Sequence, residues 1–200
     1  MASDEQFAAI AHDLERIGYS LSDGLLDPQL VDALAMVAYQ HNTDGQLIPA
    51  GTGKERSHDD SVRGDSIAWL EPDSGQPAVT ECLKRFDQLR RALNQHLFLN
   101  LHDVESHFAF YPPGTGYEKH LDQFATGDRR RQVSLVLYLN SRWRDTDGGE
   151  LRLHLDDDSH LDVRPVAGRL VLFESSRFWH EVRPATRDRL SIAGWFRTRS

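Results

Sequence analysis

A single cysteine, Cys82, stands among 200 residues. An internal disulfide and a thiolate metal cage are therefore excluded, and any metal must be held by histidine nitrogen and carboxylate oxygen. No apolar run is long enough to cross a bilayer. The opening residues, MASDEQFAAIAHDLERIGY, interrupt their apolar positions with acids and lack a signal-peptide pattern. The expectation is a cytoplasmic protein with no membrane partner. Positive charge is also scarce. With 23 Lys and Arg against 31 Asp and Glu, the formal net charge is −8, which repels a phosphate backbone and argues against nucleic acid as a partner. The densest basic run, Arg129 to Arg131, follows Gly127 and Asp128 and reads as a solvated turn.

Enough apolar sequence is present for one substantial core, and a chain of 200 residues is read as one domain, 1–200. The first half, 1–100, reads as mainly helical support. Ser3 and Gln6 resemble a capping box, Phe7, Ile10, Leu14 and Ile17 keep helical spacing, and Gly18 is a stop. Asp27 and Pro28 start a second helix through Tyr39, with Leu30, Leu34 and Val37 on it. A third runs from Pro77 to Phe98, with Val79, Leu83, Phe86, Leu89, Leu93 and Leu97 in one stripe. Between the last two lies a long, polar, Gly-rich stretch, and loops of that length tend to be functional or disordered. Its GTGK is not a phosphate loop, because Ile48 and Glu55 occupy the positions that need Gly and Ser or Thr. From His107 onward, seven or eight short strands separated by turn signals such as DTDGG, DDDS and VAG predict a β-sandwich or jelly roll buttressed by the helices.

Four His-x-Asp pairs occur in the sequence. On a strand, residues two apart project from one face, so such a pair can hold one metal ion. A non-haem Fe(II) oxygenase needs two His and one carboxylate, with the remaining positions open. SSRFWHEVRPA offers His180 as the third ligand, and Arg189 follows on the next strand in RLSIAGWF, sharing a face with Ser191. An Arg fork there suits the carboxylate of a dicarboxylate co-substrate. His160 and Asp162 lie too near His180 to leave room for intervening strands, His154 and Asp156 run into an acidic turn, and His58 and Asp60 sit in the long loop. His120 and Asp122 fit best.

The stretches YPPGTGYEKHLD, LYLNSRWRDTDGGELRL, FWHEV and RLSIAGWF resemble the catalytic core of the 2-oxoglutarate and Fe(II)-dependent prolyl 4-hydroxylases. The Egl-nine group, the animal oxygen-sensing hydroxylases with their bacterial relatives, is the nearest in pattern. VRGDSIAWLEP extends the likeness, which covers residues 62–196. The resemblance implies a double-stranded β-helix (cupin-like) core over 104–197, an α+β fold that is mainly β. It assigns iron to His120, Asp122 and His180, and 2-oxoglutarate to Arg189 with Tyr138 and Tyr111; Ser191, on the face of Arg189, joins that set. Trp195 would pack near the iron, whereas Trp69 and Trp143 are read as core. The loop 51–65 resembles a finger that closes over a peptide substrate, with Arg63 and Asp65 contributing.

The activity implied is hydroxylation at C4 of a prolyl residue in a protein, using dioxygen (O2) and giving succinate and carbon dioxide, with ascorbate in support. For the bacterial relatives the resemblance points to elongation factor Tu as the protein partner. Three positions depart from the animal pattern: the turn before His120 is one residue shorter, Ala193 replaces Thr, and Trp179 replaces Pro. Two other readings stand beside this one, an oxygenase of a free amino acid or small molecule and a non-catalytic jelly-roll binding module.

Overall fold

The computed structural model describes residues 4–51, 62–123 and 129–199. Ser3 of the expected cap, residues 52–61 of the expected substrate loop with the His58 and Asp60 pair, and Gly127 and Asp128 of the basic turn lie outside the described residues.

Helix α1 (Asp4–Ile17) buries Phe7, Ile10, Ala11 and Leu14 on one face and stops where Gly18 takes φ 81°. Helix α2 (Pro28–Thr43) opens on Asp27, whose carboxylate accepts from the Gln29 N–H at 2.8 Å, with Pro28 in the first turn. It runs on past the expected end at Tyr39, because nothing in Gln40 to Thr43 breaks a helix and the first positive-φ residue is Gly45. Helix α3 (Pro77–Leu97) buries Val79, Cys82, Phe86, Leu89 and Leu93, and Phe98 closes it in the left-handed conformation.

Eleven strands are present among the described residues, eight of them from Leu101 onward, in line with the seven or eight that the pattern of the second half predicts. Seven form one antiparallel sheet in the order β1 (Tyr19–Asp23), β9 (Arg169–Glu174), β6 (Arg131–Tyr138), β11 (Arg189–Thr198), β4 (Leu101–Tyr111), β3 (Ser66–Trp69) and β2 (Ile48–Pro49). Three of these, β1, β2 and β3, come from the half read as helical. β2 and β3 are too short to display an apolar alternation, and in β1 the alternation Tyr19-Ser20-Leu21-Ser22 runs against burial, with Ser20 inside and Leu21 exposed. The other sheet is β5 (Tyr117–His120), β10 (His180–Val182), β7 (Leu151–His154) and β8 (His160–Val163).

Side-chain alternation divides the large sheet. Phe108, Phe110, Val133, Leu135, Leu137, Leu190, Ile192 and Phe196 pack with the three helices into the main core. Each such buried side chain stabilises the fold by roughly 1.5–3 kcal/mol. The opposite face meets the small sheet: Tyr138, Val171 and Phe173 pack with Leu151, Leu153, Val163 and Phe178 in a second, smaller core. That second face also carries His107, Ala109 and Tyr111 from β4, Ser134 from β6, and Arg189, Ser191 and Trp195 from β11, paired Arg189 to Tyr111 and Ser191 to both Ala109 and Tyr138. Every polar residue of the candidate site on the large sheet faces inward for that reason.

Two surface expectations change. Trp69 is 40 % exposed rather than core, because β3 lies near the sheet edge with only the two-residue β2 beyond it. Arg131 is no solvated turn residue: it opens β6, pairs with Glu105 at 2.9 Å, and lays its guanidinium 3.5 Å from the ring centre of Trp195.

Candidate metal centre and active site

Strands β5 and β10 pair with His120 opposite His180, so the two imidazoles face each other with ring centres 4.1 Å apart. Asp122 does not lie on the strand. β5 ends at His120, and the chain bends so that the Asp122 carboxylate meets both rings, Oδ1 at 3.8 Å from His120 Nε2 and Oδ2 at 3.5 Å from His180 Nε2. A simple two-residue strand repeat therefore does not produce the pair. One ligand atom from each residue lies within 4.8 Å of the other two, a spacing that could hold a metal ion.

The supporting contacts fix the chemistry of these atoms. His120 Nδ1 lies 2.7 Å from the Glu118 carbonyl and His180 Nδ1 lies 3.1 Å from that of Phe178. A carbonyl oxygen only accepts, so Nδ1 carries the proton in both rings and Nε2 keeps its lone pair for a metal. Burial, with His180 adding to it, pushes His120 down to about 3, although Asp122 and the Glu118 carbonyl favour its charged form. The ring is thus neutral near neutral pH, as a ligand must be. Burial alone would raise the Asp122 carboxyl. His180, His120 and the Ser134 hydroxyl outweigh it and hold it below the usual carboxylate range. Ser134 donates to Asp122 Oδ2 at 2.6 Å and lies 2.8 Å from the Ser175 hydroxyl.

Further along the same face, Arg189 is 1 % exposed. Its Nε donates to the Gly149 carbonyl at 2.8 Å and its Nη1 to Ser191 Oγ at 3.4 Å, while Nη2 has no partner among the described residues. No carboxylate among the described residues pairs with it. The Tyr138 hydroxyl is likewise buried without a partner among the described residues, and burial raises it to about 12 against the lowering effect of Arg189. Tyr111 closes the other side, its ring centre 5.2 Å from the guanidinium carbon. A buried cation without a counter-charge costs several kcal/mol unless an anion joins it. The arrangement suits a ligand carboxylate, which would take both the guanidinium and the phenol. Gly149 makes the approach possible: at φ 75°, a Cβ there would lie 3.0 Å from Ala185 and 3.3 Å from the Arg189 side chain.

Arg63 and Asp65 form a two-pronged ion pair, at 2.6 and 3.0 Å, with the Asp65 side chain buried. Arg63 covers the Tyr117 ring at 4.8 Å, and Tyr117 stacks on His120 with centres 3.6 Å apart. The end of the expected substrate loop is thus tied to the metal-binding rings. Sequence reasoning missed Ser134, Ser175, Gly149 and His107. Ser134 precedes Tyr138 by four residues on one strand, so alternation alone could have placed it inward.

The pattern of the 2OG-Fe(II) oxygenase superfamily matches residues 106–197. A PKHD-type hydroxylase of Maricaulis maris is 34% identical over 89 residues, which are 44% of this chain but 39% of that protein. The chain therefore matches well under two thirds of that curated relative. Among solved structures, a prolyl-4-hydroxylase of Pseudomonas putida is 47% identical with a TM-score of 0.89, over 97% of this chain and 100% of that one. A prolyl hydroxylase of Trichoplax adhaerens, solved with a hypoxia inducible factor oxygen degradation domain peptide fragment, is 25% identical with a TM-score of 0.89, over 97% of this chain and 90% of that one. Two sheets enclosing a His-Asp-His cluster, together with likeness along nearly the whole chain, place this protein in the 2OG-Fe(II) oxygenase superfamily, with the double-stranded β-helix of that family.

Proposed function

We propose that the protein is an Fe(II)- and 2-oxoglutarate-dependent prolyl hydroxylase acting on C4 of a proline within a protein. The observation that carries this reading is the closeness of two buried polar atoms that lack a partner among the described residues, Arg189 Nη2 and the Tyr138 hydroxyl, on the sheet face that also meets His120, Asp122 and His180. His120, Asp122 and His180 would hold the iron. Arg189, Tyr138 and Ser191 would bind the distal carboxylate of 2-oxoglutarate, with Tyr111 against it and Trp195 beside the metal. Bound iron, 2-oxoglutarate and O2 supply the oxidising power, and succinate and carbon dioxide leave as co-products.

The residues of the chain bind, orient and exclude water. Arg189 fixes one end of the co-substrate, so its reacting end is presented in one orientation. Ser134 helps hold Asp122 ionised, and the two backbone carbonyls fix the Nδ1–H tautomer of His120 and His180, leaving each Nε2 to face the metal. Arg63 and Asp65 anchor the end of the loop 51–65, which would cover a peptide. Proline as target is supported by the 47% identity to the Pseudomonas putida enzyme. In this reading residues 1–200 act as one catalytic unit in the cytoplasm, ascorbate supports the iron, and elongation factor Tu is the first protein to test.

The test is incubation with Fe(II), 2-oxoglutarate and O2 and a set of proline-containing loop peptides, with free proline alongside. Succinate formation coupled to the gain of one oxygen on a peptide proline is expected. Oxidation of free proline instead moves the reading to a small-molecule oxygenase. No turnover of 2-oxoglutarate by folded, iron-loaded protein would leave a binding module.

A further inference from the structure

His107 is 1 % exposed, and both of its ring nitrogens lack a partner among the described residues. It is not a core histidine held by neighbours. Its strand pairs it with Trp69 on β3 and with Ala193 on β11, and its ring lies between two indoles, 5.0 Å from Trp69 and 5.5 Å from Trp195. By alternation it shares the inner face of β4 with Tyr111, in the row that bears the candidate site. Trp69 beside it reaches the surface. The imidazole thus forms part of an aromatic wall running from the rim toward the metal ligands.

A buried donor and acceptor left open in such a wall call for a ligand that offers an acceptor or a donor of its own. The nearby charges narrow its class. Arg63 and Arg131 both act on the ring, but each is committed, to Asp65 at 2.6 Å and to Glu105 at 2.9 Å. Neither guanidinium is left to neutralise the carboxylate of a free amino acid. An uncharged amide fits, since a peptide group offers one carbonyl acceptor and one N–H donor.

We propose that His107 is a substrate-positioning residue whose imidazole hydrogen-bonds a main-chain peptide group beside the target, selecting a proline inside a chain over free proline. The inference rests on the functional reading above and deepens it by naming the group recognised.

The experiment uses the full chain labelled with 15N-histidine and loaded with diamagnetic Zn(II) and 2-oxoglutarate. N-acetyl-L-prolinamide is the peptide-group probe and free L-proline the contrast. The amide should move the His107 ring nitrogen resonances, and free proline should leave them in place. In parallel, affinity for the amide is read from the Trp195 indole signal. His107→Leu should weaken it about tenfold, the worth of one hydrogen bond, while His107→Gln, which keeps a donor and an acceptor, should largely restore it. Affinity for 2-oxoglutarate should be unchanged in both variants. Ring resonances that ignore the amide, or respond equally to free proline, overturn the inference, as does a His107→Leu protein that binds the amide like the wild type. If the iron-loaded enzyme still binds and turns over 2-oxoglutarate in such a case, only the role of His107 falls. If it does neither, the functional reading falls as well.

Discussion

The guanidinium carbon of Arg189 lies 5.1 Å from the ring centre of Tyr138, and each of these buried side chains keeps one polar atom without a partner among the described residues. A ligand carboxylate would satisfy both atoms, and on the proposed reading that ligand is 2-oxoglutarate. Arg189→Ala should weaken 2-oxoglutarate binding by about 2–4 kcal/mol, and Tyr138→Phe by about 1 kcal/mol. Calorimetric titration of each variant with 2-oxoglutarate checks both. Unchanged affinity in the Arg189 variant would give that residue another role.

On the proposed reading, Ser134 would act on a bound metal through Asp122. Its hydroxyl donates to Oδ2 at 2.6 Å and helps hold the carboxylate ionised. Ser134→Ala should therefore raise the Asp122 carboxyl and reduce divalent-metal affinity by about tenfold, as loss of such supporting contacts commonly does. Competition against a chromogenic chelator reads the change, and the deficit should widen as pH falls.

Asn140 ties three segments together just beyond Tyr138. Its amide donates to the Pro165 and Leu190 carbonyls at 2.8 and 2.9 Å, and its oxygen accepts from the Leu190 N–H at 2.6 Å. Asn140→Ala strands buried backbone groups and should cost about 2–4 kcal/mol of stability. Denaturant unfolding measures that, and 2-oxoglutarate affinity should also fall, because Leu190 adjoins Arg189.

The pH dependence of stability has a defined sign at His107. Burial, with Arg63 and Arg131 nearby, pushes its imidazole down to about 3, and Asp122 only partly opposes this. Between that value and the ordinary 6.5, the unfolded chain binds a proton that the native chain refuses. Stability is full above about pH 6.5 and is lost on acidification, at up to about 1.4 kcal/mol per pH unit for this group. His120 shifts in the same direction, so His107→Leu should flatten the decline without abolishing it. Unfolding curves across this window, for wild type and variant, make the comparison.

How far the sequence reaches can be read from particular residues. Local signals are legible: Asp27 with Pro28 starts a helix, Gly18 ends one, and the stripe from Val79 to Leu93 is a buried face. The short strands β1, β2 and β3 are not, since they owe their existence to partners distant in sequence, as Tyr19 pairs with Phe173. The same division holds in the site. His120, Asp122, His180 and Arg189 were singled out by residue type and order along the chain. The approach of Asp122 comes from a bend and not from strand alternation. His107 stands in an ordinary apolar strand, SHFAFYP, and only the tertiary structure leaves its two nitrogens unpartnered.

On the proposed reading, His120, Asp122 and His180 together hold an iron to which 2-oxoglutarate binds. The most direct measurement is the visible metal-to-ligand charge-transfer band after anaerobic mixing of the metal-free protein with Fe(II) and 2-oxoglutarate, with His180→Ala as control. A band in the wild type that is lost in the variant is the expected result. No band from well-folded wild type, or an undiminished band in the variant, would contradict it.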